Sequence, residues 1–197
     1  TVATVTGMKF CSNCGQPVQI RVPAGDQMPR AVCGSCGVVH YENPRVVAGC
    51  VPEWQGRILL CRRAIEPRRG YWTAPAGFLE IGESLHAAAA RETAEEALAQ
   101  VEIGSLLSIV NVLHAAQVHV MFRAVRRNAQ HGAGVESLET GLFAEPEIPW
   151  DEIAFASVRF ALERYFDDRR ARTEGLHFHD IERPRHVEVQ MIADHHG

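Results

Sequence analysis

No apolar run in this chain approaches the roughly 18 residues that a membrane helix needs, so a helical membrane protein is excluded. Basic excess is also missing. A formal net charge of −4 over 197 residues gives no electrostatic reason to expect bulk nucleic-acid binding. There is no low-complexity tract and no long internal repeat, which leaves out biased linkers and solenoid arrays. The opening TVATVTG (1–7) lacks a basic region and a long apolar core, so it does not read as a secretory signal. The expected compartment is therefore the cytoplasm. What is present suits one full domain with a small appendage: 46% hydrophobic residues for a core and an ordinary 22% charged.

The most informative stretch is GFLEIGESLHAAAARETAEE (77–96), a glycine and an acidic loop followed by a helix. That helix carries Glu92, Glu95 and Glu96 beside Arg91. Glu92 and Glu96 project about 40° apart, with Glu95 on the adjoining edge. Like charges at this spacing destabilise a bare helix, so three together need a reason. A solvated acidic face is the bland reading. Hard divalent cations take oxygen ligands, and such a cluster suits magnesium or manganese.

The six cysteines fall into two groups. Cys11-x2-Cys14 and Cys33-x2-Cys36, 18 residues apart, fit a four-thiolate zinc ribbon. A disulfide framework would call for an exported chain, and a redox CxxC would not call for two copies at ribbon spacing. Four thiolates leave no open position on the metal, so this Zn²⁺ is read as structural. Cys50 and Cys61 sit in apolar strand-like runs and read as small buried hydrophobes.

Along the chain, residues 8–40 form the ribbon, 41–172 the main domain and 173–197 a C-terminal tail. YENP (41–44) is the hinge. RVVAGCVP (45–52) and RILLCRR (57–63) read as strands around a turn. The loop at 66–70 delivers Trp72 to the glycine turn. Ser84 is a good N-cap for a helix running to near Ala99, whose inner face is Leu85, Ala88, Ala89 and Leu98. Strands are expected at 101–110 and 117–124. A last amphipathic helix is expected at 151–171, with Ile153, Phe155, Val158, Leu162 and Phe166 inward. Ten histidines invite a metal reading but show no ligand spacing. His114 and His119 read as packing or rim residues, and His177, His179, His195 and His196 as part of the tail.

Gly77, Glu83, Arg91, Glu92, Glu95 and Glu96 fall on the fixed positions of G-x5-E-x7-R-E-U-x-E-E-x-G-U, and WTAPAG (72–77) matches its usual lead-in. That pattern is the Nudix box, and the chain thus resembles the Nudix family. Thr93 stands in an apolar slot, and Leu98 replaces the glycine that supplies a left-handed C-cap. That leaves two endings open: a helix that runs on toward Gln100, or a stop by another geometry. The resemblance implies an α/β fold, the Nudix α/β/α sandwich with a mixed sheet. It also implies metal-dependent hydrolysis of a nucleoside diphosphate linked to another group. By the same resemblance Glu92 and Glu96 bind Mg²⁺ or Mn²⁺, and Glu95 joins them or sits near the attacking water. Arg91 orients a carboxylate, the Gly77 carbonyl is a further ligand, and Glu83 braces loop to helix.

Downstream, ESLE-x2-LF-x3-EIP (136–149) resembles a pattern of zinc-ribbon Nudix pyrophosphatases. There Glu139 completes the metal site, with Glu136 nearby as general base or water-positioning group. The likeness from about Lys9 to Phe178 points to the FAD and ADP-ribose pyrophosphatase subgroup. The related NADH and NAD-capped RNA hydrolases carry an SQPWPFP-like signature where this chain reads SIVNVLHAAQV (108–118). Arg62, Arg63, Arg68 and Arg69 are candidates for substrate phosphates, and Tyr71 and Trp72 for stacking. The expected partner is a small dinucleotide substrate, and the expected assembly is a homodimer. The rival from another class is a non-catalytic nucleotide sensor, which would not need every box carboxylate.

Overall fold

The computed structural model describes residues 7–182. His195, His196 and the residues before Gly7 lie outside them. The chain divides into two compact units, one ending at Pro44 and one starting at Arg45.

The first unit is a three-stranded antiparallel sheet of β1 (Val18–Arg21), β2 (Arg30–Cys33) and β3 (Val39–His40). Each cysteine pair closes a tight turn. The Gly15 amide donates to the Cys11 carbonyl (2.9 Å) and the Gly37 amide to the Cys33 carbonyl (3.0 Å). Both glycines have positive φ, 73° and 75°, where a side chain would be strained.

The second unit opens with β4 (Arg45–Trp54) and β5 (Arg57–Arg63), followed by the short β6 (Trp72–Thr73) and β7 (Ala76–Phe78). Helix α1 (Leu85–Ala97) comes next, then β8 (Val101–Val112), β9 (Gln117–Arg126) and β10 (Ser137–Phe143). Helix α2 (Ala156–Ala171) and β11 (His177–Ile181) complete it. The eight strands form one mixed sheet, ordered β10-β5-β4-β9-β8-β11, with β6 on β5 and β7 on β4. β4–β9 and β8–β11 are parallel pairs and the others antiparallel. Among the described residues, no helix is long and apolar enough to cross a membrane.

Period-2 alternation sorts the two faces. Val51, Ile58, Leu60 and Met121 pack with Val158, Leu162 and Phe166 of α2. Their neighbours Cys50, Val120 and Phe122 pack with Ala89 of α1, and Leu59 and Cys61 with Ala97. β4 and β5 are thus buried on both sides, as a strand between two helix layers must be. Each such Leu, Ile or Phe contributes about 1.5–3 kcal/mol by burial. The family's α/β/α sandwich is present.

Several expectations need correction. Helix α2 begins at Ala156, and a short 3-10 turn at Trp150–Glu152 precedes it, so Ile153 and Phe155 pack from the lead-in. The strands expected at 101–110 and 117–124 extend to Val112 and Arg126. Part of the presumed tail is sheet: β11 pairs with β8, His177 opposite Ser108 and Ile181 opposite Val112. Leu98 is not on the buried face. It is 58% exposed, at φ 47°, and its amide donates to the Ala94 carbonyl. The helix therefore stops where a glycine would stop it, with a leucine carrying a strain of about 1–2 kcal/mol.

Candidate active site and zinc centre

The Sγ atoms of Cys11, Cys14, Cys33 and Cys36 all lie within 4.8 Å of one another. Two of the separations are 3.6 Å (Cys11 to Cys36) and 3.5 Å (Cys14 to Cys33). A tetrahedron with Zn–S bonds of about 2.3 Å has edges of about 3.8 Å, so the set fits zinc with little adjustment. His40 Nε2 lies 3.3 Å from Cys11 Sγ, placed to orient that sulfur.

The second site begins with Arg91. Its Nε and Nη2 donate to the Glu83 carboxylate (2.9 and 3.0 Å), and Nη1 donates to Glu92 (2.7 Å) and Glu95 (2.9 Å). Nη2 also reaches the Phe78 carbonyl at 3.2 Å, tying the helix to the loop that precedes it. Glu83 accordingly sits below the usual carboxylate range, chiefly through Arg91. Ser84 caps the helix as expected, accepting from the Ala87 amide at 3.2 Å. Thr93, polar in an apolar slot, is fully buried and satisfied by the Ala89 carbonyl (2.8 Å) and Cys50 Sγ (3.2 Å).

Glu92 and Glu96 lie against the glycine turn. A Cβ on Gly77 would fall 2.3 Å from the Glu92 carboxyl, so only glycine lets that carboxylate approach. Glu96 is 6% exposed and accepts from the Ala76 amide at 3.2 Å. Burial pushes its pKa up to about 8 against that amide, and the charges of Glu92 and Glu136 push the same way. Burial likewise raises Glu92. Such acids want a cation. Oxygen donors alone, in a carboxylate set, select a hard ion such as Mg²⁺ or Mn²⁺. Among the described residues only the cysteines bring three or more ligand atoms within 4.8 Å; the box carboxylates do not converge so tightly.

A cleft of about 1380 Å³ joins these groups. Its wall includes Gly77, Arg91, Glu92, Glu95, Glu96, Glu136 and Arg63. Glu139 is not part of it: on β10 it pairs with Arg62 across the strands at 2.8 Å. A bulge between Ser137 and Glu139 separates the two acids. Glu136 is fixed by the Ala64 amide, which donates to its carbonyl at 2.8 Å. Arg62 is further held by the Gly70 carbonyl, at 2.8 Å from its Nε. Arg69 does not line the cleft, whereas Arg68 does. Trp72 turns inward, edge-on to Phe143 with ring centroids 4.9 Å apart.

The sequence reading missed what brings Glu136 to the helix. The amides of Gly132 and Gly134 donate to the carbonyls of Ala97 (2.9 Å) and Glu96 (3.0 Å), capping the end of α1. A Cβ on Gly134 would meet the Glu95 carbonyl oxygen at 1.7 Å, so this close approach requires glycine. The visible signal was HGAG (131–134), two glycines just ahead of the acid. Phe155 was expected in the core. It packs against the core from the lead-in and also lines the cleft, with the Arg63 guanidinium 4.9 Å from its ring centroid.

Two family models match the chain: the Nudix N-terminal zinc ribbon over residues 9–42 and the NUDIX domain over 43–165. The chain is 48% identical to a NUDIX hydrolase of known structure from Nitrosomonas europaea, over 89% of this chain and 100% of that one, with a TM-score of 0.86. It is 35% identical over 116 residues to the mitochondrial NAD(P)H pyrophosphatase NUDT13 of Mus musculus, covering 59% of this chain and 29% of that protein. The NAD-capped RNA hydrolase NudC of Chromobacterium violaceum is 40% identical over 89 residues, covering 45% of this chain and 31% of NudC. The chain thus spans less than a third of the length of these curated relatives. With a box helix clamped by Arg91, a four-cysteine ribbon and these matches over most of its length, the chain belongs to the Nudix hydrolase family.

Proposed function

We propose that this protein hydrolyses the diphosphate bond of an adenosine dinucleotide, most of all FAD (to FMN and AMP) or ADP-ribose (to AMP and ribose 5-phosphate). The observation that carries the reading is the buried Glu96, its pKa raised to about 8, beside Glu92 at a glycine turn in a large cleft. A binding sensor gains nothing from burying an acid at such a cost. When bound, Mg²⁺ or Mn²⁺ neutralises diphosphate oxygens and makes water more acidic.

In this proposal Glu92, Glu96 and the Gly77 carbonyl hold the ion, and Glu95 joins them or positions water. Glu136 lines the cleft and Glu139 does not, so Glu136 is the better choice for the further carboxylate and for proton acceptance from water. Arg91 fixes the angle of Glu92 and Glu95. Arg63 and Arg68 face the cleft and can meet phosphate oxygens, a role that Arg62 and Arg69 are less well placed to take.

FAD and ADP-ribose come first because residues 108–118 lack an SQPWPFP-like signature. The second reading, NAD(P)H or NAD-capped RNA, is favoured by the names of NUDT13 and NudC. Purified protein assayed with Mg²⁺ on FAD, ADP-ribose, NADH and NAD-capped RNA ranks them by kcat/KM. FAD or ADP-ribose should lead. NADH or capped RNA in first place would promote the second reading, and nucleotide binding without any product would sink the pyrophosphatase.

A further inference from the structure

The cleft holds a second polar group that takes no part in the metal chemistry. Phe78 pairs with Val47 across β7 and β4, and Val47 pairs with His119 across β4 and β9. At about 4.8 Å per strand, His119 lies about 10 Å from the turn that carries Gly77. Gln117, two residues before it, and Ser157, in the first turn of α2, line the cleft beside it.

These three side chains form a relay. Ser157 Oγ is 2.9 Å from His119 Nδ1, and His119 Nε2 is 2.9 Å from Gln117 Oε1. Burial holds the pKa of His119 below that of an ordinary histidine, so the imidazole is neutral and carries one N–H. The Gln117 oxygen can only accept, so Nε2 bears the hydrogen. Nδ1 is then the acceptor, and Ser157, 2% exposed, must donate to it. With the Gln117 oxygen toward the ring, the hydrogens run from Ser157 through His119 to Gln117. Both hydrogens on the Gln117 nitrogen are left without a protein acceptor among the described residues. Phe78 and Phe155 also line the cleft, each with a guanidinium over its ring, Arg45 at 4.7 Å and Arg63 at 4.9 Å from the centroids.

We infer that Gln117, oriented by His119 and Ser157, is a specificity-determining residue that reads the adenine of the substrate. A purine offers ring-nitrogen acceptors to such a donor and a flat π face to the guanidinium–aromatic pairs of the cleft. The distance suits a base one ribose away from the diphosphate. The inference rests on the adenosine-dinucleotide reading but not on which dinucleotide it is, since FAD, ADP-ribose and NADH share that half.

Gln117→Glu keeps an acceptor for the His119 N–H and removes the donor, and Gln117→Met, of similar size and uncharged, separates that loss from the effect of the added charge. KM for FAD, ADP-ribose and NADH should rise together by about tenfold, with kcat within about twofold. Ser157→Ala frees the relay and should raise KM by about threefold for each. In the unmodified protein, AMP alone, without metal, should shift the side-chain amide resonances that are missing from the Gln117→Glu spectrum. Unchanged KM values, a rise for only one dinucleotide, or resonances unmoved at saturating AMP would overturn the inference. If AMP shifts those resonances while no dinucleotide is cleaved, the pyrophosphatase falls and the adenine subsite stands.

Discussion

Replacing Gly77 by alanine would set a methyl group 2.3 Å from the Glu92 carboxyl carbon and 2.5 Å from its farther oxygen. Ordinary contact begins about 1 Å further out, so the carboxylate must withdraw by about that distance. Glu92 is the end of a flexible side chain, and turning it costs about 0.5–1.5 kcal/mol. Gly77 is in strand β7, without a positive φ, so alanine also recovers about 0.4–1 kcal/mol from the unfolded chain. Stability should therefore change by less than about 1 kcal/mol. Activity should not be spared, because a displacement of about 1 Å in a positioned group costs about a hundredfold. Metal-dependent hydrolysis of the best dinucleotide and urea unfolding, run on the same preparations, separate the two effects. A Gly77→Ala protein that keeps more than a tenth of its kcat would refute the placement of Glu92 at the reacting diphosphate.

Glu96→Gln keeps the shape and the acceptor for the Ala76 amide, so the fold should hold while turnover drops by about a hundredfold or more; activity near wild type would remove Glu96 from the site. Asp168 gives a pH prediction. Burial would raise its carboxyl, but the hydrogen bond and charge of His177 (3.0 Å), the Gly175 amide (3.0 Å) and Arg123 outweigh it and hold it below the usual range. Its stabilisation is thus complete above about pH 4, the unfolded value, and is lost as pH falls through the lower folded value. Asp168→Asn should cost about 1–3 kcal/mol at pH 7, with the gap to wild type closing under acid unfolding; a gap that widened would reverse the sign. Removal of zinc by a strong chelator should abolish amide-exchange protection in β1, β2 and β3 while β4, β5 and β9 keep theirs, and retained protection in the ribbon would argue against a structural metal.

How much of the fold is legible in the sequence depends on how local the cause is. The box helix was legible because its signals are adjacent in the chain: Ser84 at the cap, acids at helical spacing, small residues on the inner face. The cysteine pairs were legible for the same reason, as spacing alone brings four thiols to one point. β4 and β5 announced themselves as apolar runs that only a two-sided core can bury. β11 did not, because His-Phe-His-Asp-Ile has no apolar alternation and its partner β8 lies about seventy positions earlier in the chain.

The choice between Glu136 and Glu139 turns on geometry. Glu136 precedes β10 and Glu139 lies within it, and a pattern of identities cannot show the bulge that separates them. In the structure Gly132 and Gly134 cap the end of α1 just ahead of Glu136, while Arg62 pairs with Glu139. Leu98 belongs to the same argument. Without a glycine at its own C-cap, the helix end still turns left-handed, and the neighbouring loop supplies the two amides that satisfy its last carbonyls. The one glycine that the box lacks, at position 98, is thus matched by two that it does not contain, and these also lead into Glu136, the acid proposed for the site. Substituting Gly134 should accordingly damage the helix end and the placement of Glu136 together, whereas substituting Gly77 should touch Glu92 alone.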